Sequence, residues 1–163
     1  MIARRSLLIG FLLLGACAAA PKLASGIAPP ATPKRVLFVC QFGTVKSPIT
    51  RELAKRRAAE RGLAIEFAAR GITPEEHIAP ELASALAADG INPKAEPLQP
   101  LTAADVASAD IVVVFDKLPA KFVAKDVRDW SSVPSMNSSY PAARADLIAR
   151  IDRLLDEVSS SAR

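Results

Sequence analysis

Residues 35–49 read RVLFVCQFGTVKSPI, and their reading decides the fold. Arg35 to Cys40 is a short, nearly all-apolar run rich in branched residues, the pattern of a strand buried on both faces of a sheet. Gln41, Phe42, Gly43, Thr44, Val45 and Lys46 follow as a loop. Ser47-Pro48 then opens a helix, because serine is a favoured N-cap and proline suits the first helical position. This helix is predicted to run to about Arg61 and to stop at Gly62. A helix N-terminus offers free amides and a positive partial charge, so it attracts oxyanions. The same field favours a thiolate over a thiol. Nucleophile and anion cradle are then one object centred on Cys40. The competing reading is an inert buried cysteine, a common fate at a strand end; the loop and helix start that follow weigh against it.

Working outward, Leu63 to Ala69 alternates loosely as a second strand, and Arg70-Gly71 turns the chain. Pro80 to Ala88 reads as a helix ended by Asp89-Gly90, and Thr102 caps a short helix to Ala107. Ile111 to Phe115, IVVVF, is the second buried strand, and a fourth is predicted within Phe122 to Trp130. From Pro141 to Val158, Leu147, Ile148, Ile151, Leu154, Leu155 and Val158 form a helical stripe. Strands alternating with helices imply a parallel sheet with right-handed crossovers. Ligands in such folds sit beyond the carboxyl ends of the strands, which is where Cys40 falls.

The composition narrows the function classes. Of 163 residues, 50% are hydrophobic and 23% charged, which excludes a disordered chain. Two cysteines and one histidine cannot build a disulfide scaffold or a four-ligand zinc site, so no metal is expected. Removing Arg4 and Arg5 from the 21 basic side chains leaves 19 against 17 acidic ones in the rest of the chain. That near-balance, with 5% aromatic residues, argues against a nucleic-acid partner.

Residues 1–17 read as an export signal: Arg4-Arg5, the apolar run Leu7 to Leu14, then small residues. The run is too short to span a bilayer. Leu14-Gly15-Ala16-Cys17 resembles the bacterial lipobox, in which the cysteine becomes the lipidated N-terminus, and the paired arginines resemble a twin-arginine signal. Residues 18–33 are rich in alanine and proline and read as a tether. The folded domain is expected over 34–158, with 159–163 as a frayed tail. The expected location is the periplasm, with membrane contact only through a lipid on Cys17.

The motif Val36 to Cys40, five residues, a basic residue, then Ser47-Pro48-Ile49 resembles the low-molecular-weight protein tyrosine phosphatases and the arsenate reductases built on the same fold. The likeness continues through Ala68-Ala69-Arg70-Gly71, Pro80 to Ile91, Pro100-Leu101-Thr102 and Ala109-Asp110 ahead of IVVVF. With the strand–helix alternation it predicts a three-layer α/β sandwich whose four parallel strands lie in the order 2-1-3-4. The resemblance implies that Cys40 attacks phosphorus to give a phosphocysteine, while the amides of residues 41–45 and the basic side chain hold the oxygens. Ser47 would hydrogen-bond the thiolate, and an Asp in a late loop would act as general acid. This route uses no cofactor. The substrate would be a phosphorylated protein or a small phosphate ester, and no oligomeric state is read from the sequence.

The departures are specific. The family's Arg is Lys46 here, a point charge in place of a bidentate fork. The usual Gly-Asn of the loop is Phe42-Gly43. Where the family has Asp-Pro, the stretch Trp130 to Met136 has Ser135, which leaves Asp129, or Asp126, as the nearest acid. These departures predict a weakened phosphatase; the alternatives are a non-catalytic oxyanion or phosphoprotein binder and a single-cysteine arsenate reductase. His77 reads as a surface residue, and Arg51, Lys55, Arg56 and Arg57 as a solvated helix face. Trp130 and Tyr140 read either as rim or as core.

Overall fold

The computed structural model describes residues 33–160. The export signal, Cys17 and all but the last residue of the tether lie outside the described residues. The elements are β1 (Lys34–Cys40), α1 (Lys46–Glu60), β2 (Ile65–Gly71), α2 (Pro80–Ala88), α3 (Ala103–Ser108), β3 (Ile111–Val114), β4 (Val127–Asp129) and α4 (Met136–Ser160). The strands form one parallel sheet in the order β2-β1-β3-β4, as expected.

Alternation along β1 divides the molecule into layers. Val36, Phe38 and Cys40 face one core with Ile49 and Leu53 of α1, Leu82 and Leu86 of α2, and Leu147, Ile151 and Leu155 of α4. Leu37 and Val39 face a second core with Val112 and Val114 of β3 and Val106 of α3. Parity along the strand therefore places Cys40 on the side covered by α1, whose first turn faces the thiol. Trp130 belongs to the core: it is buried, with its ring 6.1 Å from those of Phe38 and Phe115.

Four boundaries differ from expectation, the first being β2, which runs Ile65–Gly71 so that Arg70 and Gly71 pair with β1 and do not turn the chain. Helix α1 starts at Lys46, with Val45 as its N-cap and no side-chain cap bond, so Ser47 is not the cap. Its side chain turns inward instead. Helix α4 starts at Met136, ahead of the expected Pro141, and breaks at Ser139 (φ −151°, ψ 57°). Pro141 thus still stands near the start of a helical segment, the one after the kink. Helix α4 also continues through Ser159 and Ser160, which were expected to fray. The end of α1, the bounds of α2 and the capping of α3 agree with the sequence reading: Thr102 and Asp105 form a reciprocal capping box.

The loop after β1 lies directly on the end of β2. Gly43 has φ +72°, and a Cβ there would stand 2.7 Å from the backbone of Gly71. A Cβ on Gly71 would stand 2.9 Å from the carbonyl of Phe42. Both contacts are with backbone, so a side chain at either position must displace the loop. Gly71→Ala is expected to cost about 1–3 kcal/mol by overpacking. Urea unfolding would show this as a lower midpoint with an unchanged slope.

Candidate active site

The chemistry is built at the carboxyl ends of β1 and β3. Cys40 closes β1 and is only 5% exposed. Its Sγ receives the amide of Gly43 at 3.2 Å and stands 3.1 Å from Ser47 Oγ. Ser47 Oγ also lies 3.3 Å from the carbonyl of Arg70, to which it can donate. The sulfur thus has two polar partners, one from the loop and one from the first turn of α1. Ile49 N is the first amide of α1 that bonds back, to Val45 O. The amides ahead of it belong to the set that a helix start leaves without intrahelical partners.

The loop is held on its carbonyl side. Cys40, Gln41 and Phe42 carbonyls accept from the amides of Ile72, Thr73 and Glu75 at 3.0, 2.8 and 3.1 Å. Thr44 Oγ1 donates to the Glu75 carbonyl at 2.8 Å. On the other side Gln41 N donates to Asp116 Oδ2 at 2.8 Å. Above the thiol is a cavity of about 280 Å³ lined by Cys40, Gln41, Phe42, Thr44, Val45, Lys46, His77, Asp116, Ser135, Met136 and Asn137. Gly43 instead lines a separate cavity on the far side of the loop, which Arg51 also borders.

The fold agrees with the comparisons. A profile of the low molecular weight phosphotyrosine protein phosphatases matches residues 35–149. The chain belongs to this family. No curated protein matches it. YfkJ from Bacillus subtilis superposes with a TM-score of 0.69 at 16% identity, covering 83% of this chain and 100% of its own. The low molecular weight protein tyrosine phosphatase from T. tengcongensis gives a TM-score of 0.65 at 22% identity, over 76% of this chain and 99% of its own. A Corynebacterium glutamicum thioredoxin-dependent arsenate reductase gives 0.64 at 23% identity, over 82% of this chain and 65% of its own. At these identities the likeness shows the low-molecular-weight phosphatase fold, which phosphatases and arsenate reductases share.

Within that fold, the departures acquire positions. Lys46 lines the cavity, but its Nζ donates to the Val133 carbonyl at 3.0 Å and lies 6.0 Å from the centroid of the Phe115 ring. The ammonium is therefore tied to the segment after β4. Asp129 is not brought to the site. It is exposed and does not line the Cys40 cavity. Its carboxylate accepts from Ser131 N at 2.8 Å, and hydrogen bonds from the Ser131 side chain and amide hold it below the usual carboxylate range. Asp126 pairs with Arg128. The carboxylate that does stand in the cavity wall is Asp116, which the sequence reading passed over. Its position was the available signal: it follows IVVVF at the carboxyl end of β3, beside β1, where such folds place ligands.

Two further expectations change. Arg51 is not on a solvated face: it is 2% exposed and pairs with Glu52 at 2.7 Å and Glu96 at 3.0 Å, beneath the loop. His77 is exposed as expected, yet it lines the cavity, its ring 5.3 Å from that of Phe42.

The rim is fixed from α4. Asn137 donates to the His77 carbonyl and accepts from Ala79 N, both at 3.3 Å. After the kink at Ser139, the buried Tyr140 donates to Asp89 at the end of α2 at 2.7 Å, and Arg144 donates to the same carboxylate. Tyr140 is thus an anchor and not a rim residue. Hydrogen bonds from Arg144 first, then Tyr140, hold Asp89 below the usual carboxylate range. Burial, then Asp89, pushes the Tyr140 phenol up to about 12, so it remains a donor throughout the physiological range.

A carboxyl lowered in the folded state contributes stability that is present above its unfolded pKa, near 3.9, and is lost as pH falls through the lowered value. The urea midpoint is accordingly expected to fall below about pH 5. In Asp89→Asn the midpoint should be lower at pH 7, and the acid decline shallower than in the unsubstituted protein. Equal acid slopes for the two proteins would remove Asp89 from this role.

Proposed function

We propose that this protein is a weakened phosphomonoesterase that works through a phosphocysteine on Cys40. What carries the reading is the thiol at the floor of the cavity, in contact with Gly43 N and Ser47 Oγ, with the Asp116 carboxylate in the same wall. In the first step Cys40 Sγ attacks phosphorus, the P–O bond to the leaving group breaks, and a protonated Asp116 carboxyl gives its proton to the departing oxygen. Ser47 Oγ and Gly43 N stabilise the sulfur anion that attacks and later leaves. In the second step Asp116, now a carboxylate, takes a proton from water as that water attacks phosphorus, releasing inorganic phosphate and regenerating the thiolate. The loop and first-turn amides hold the phosphoryl oxygens.

One feature predicts low turnover and a second bears on the substrate. Lys46 must leave the Val133 carbonyl to reach the phosphoryl group, and it then offers a point charge where Arg offers a fork. The loop carries Phe42 against His77, which narrows the mouth toward flat aromatic leaving groups such as phosphotyrosine. The same Lys46–Val133 contact favours a second reading, an oxyanion or phosphoprotein binder without turnover. An arsenate reductase is less well supported, because Cys40 is the one cysteine among the described residues and a disulfide relay within the domain has no second thiol.

Aryl phosphate turnover by the purified protein distinguishes these readings. Cys40→Ser is expected to abolish turnover and to remove the phosphocysteine trapped for mass spectrometry. Asp116→Asn should lower kcat by about 10²-fold or more, whereas Asp129→Asn should leave it unchanged. Lys46→Arg should raise kcat, since one transition-state donor is worth on the order of 10²–10³ in rate. Phosphate binding with no turnover and no adduct in any variant would establish the binder.

We further propose export to the periplasm with a lipid on Cys17, supported by the Leu14–Cys17 lipobox resemblance. Cys17→Ser is expected to move the protein from the membrane fraction to the soluble fraction of the periplasm. Retention in the cytoplasm would exclude export.

A further inference from the structure

The crossover from β3 to β4 contains no helix. Its Leu118, Phe122 and Ala124 pack against the second core, and the residues between them face outward. Lys117, Lys121, Val123 and Lys125 are exposed, Val123 to 85%. Residues 117–125, KLPAKFVAK, hold three lysines and no acid. Of the other described lysines, Lys34 meets Asp110, Lys55 meets Glu52 and Glu96, and Lys94 meets Glu76, while Lys46 is held by the Val133 carbonyl. Among the described residues, Lys117, Lys121 and Lys125 form no ion pair. The flanking acids are occupied, Asp116 by Gln41 N and Asp126 by Arg128. Over residues 33–160 the chain is balanced, with 17 basic against 17 acidic side chains, so a run of three lysines without ion pairs makes this segment locally basic on a neutral domain.

We propose that this face docks on an anionic phospholipid surface, with the three ammonium groups among the phosphates and Val123 inserted between them. Lysine suits the role, because its apolar stem lies along an interface while its head stays with the phosphates. A basic residue held near an anionic leaflet contributes roughly fivefold to partitioning. A membrane is favoured over an acidic protein by the chain that precedes the domain. The apolar run ends at Leu14, Cys17 follows, and only residues 18–33 separate them from β1. A link of that length reaches at most about 55 Å when fully extended, which leaves the patch within reach of the bilayer. One lipid chain and one basic patch are together the two signals that stable anchoring takes. The proposal goes beyond the phosphatase reading and stands without it. Since Lys117 follows directly on Asp116, docking would bring the rim of the Cys40 cavity to the headgroup layer.

The test titrates the full chain, purified without lipid, with vesicles of phosphatidylcholine alone or with about 30% phosphatidylglycerol. Binding is expected to favour the anionic vesicles and to fall when salt is raised to about 0.5 M. Lys117→Gln, Lys121→Gln and Lys125→Gln combined should weaken it by on the order of 100-fold, and Val123→Asp should weaken it on its own. The triple variant Lys34→Gln, Lys55→Gln and Lys94→Gln removes the same charge elsewhere and should stay within about twofold of the unsubstituted protein. Equal losses in the two triple variants would overturn the proposal, because net charge alone would then explain binding. Undiminished vesicle binding by the first triple variant would overturn it too. Binding to poly-glutamate that the first triple variant loses, with no preference for anionic vesicles, would assign the face to an acidic protein instead.

Discussion

The site depends on hydrogen bonding that continues past the ends of β1 and β2. The carbonyls of three successive residues, Cys40, Gln41 and Phe42, are taken by the chain that leaves β2. Backbone groups shielded from water must be paired, and here the first three carbonyls of the turn are paired by its neighbour. The amides are thereby left to other work: Gln41 N grips Asp116, and Gly43 N points at the thiol. Gly43 and Gly71 allow the two backbones to approach closely enough for this pairing. The loop after β1 is thus an extension of the sheet, not a separate loop resting on it.

Below the loop, α1 supplies polar groups that most helices would expose. Ser47 and Arg51 are both buried, four residues apart on one face, beneath the cradle. Ser47 serves the sulfur. Arg51 bridges Glu52 and Glu96 and so joins α1 to the chain between α2 and β2's neighbouring turn at Pro100. Above the loop, Lys46 is bound to Val133, so its charge is engaged by the fold itself.

Strands β1 and β3 were legible because burial on both faces leaves a plain mark, RVLFVC and IVVVF admitting little but branched and aromatic residues, while the strand order was read with the family resemblance. Cys40 and its loop were legible through motif and spacing. What failed was the reading of polar residues by their usual habits. Ser47 looks like an N-cap because serine often is one, but its partner is a sulfur seven residues earlier across the loop. Arg51 looks solvated because its ion partner Glu96 lies far along the chain. Asp116 looks like an ordinary acid at a strand end, and only the pairing of β3 with β1 brings it to Gln41. Asp129 was chosen for proximity in sequence to Trp130, yet the turn at Ser131 holds its carboxylate outside the cavity. For Ser47, Arg51 and Asp116 the deciding contact crosses the loop or lies far along the chain, whereas Asp129 is turned outward by a contact only two residues away.

Chain separation also sets when the site comes into being. Gln41 and Asp116 are 75 residues apart, and Lys46 and Val133 are 87 apart. At roughly 5–20 residues per second, synthesis leaves Cys40 without Val133 for roughly 5–20 s. Throughout that interval the thiol is an ordinary cysteine on an incomplete chain. Its cavity is walled only when β3 and the segment after β4 have joined the sheet, so the surroundings of the thiol are set by the completion of folding.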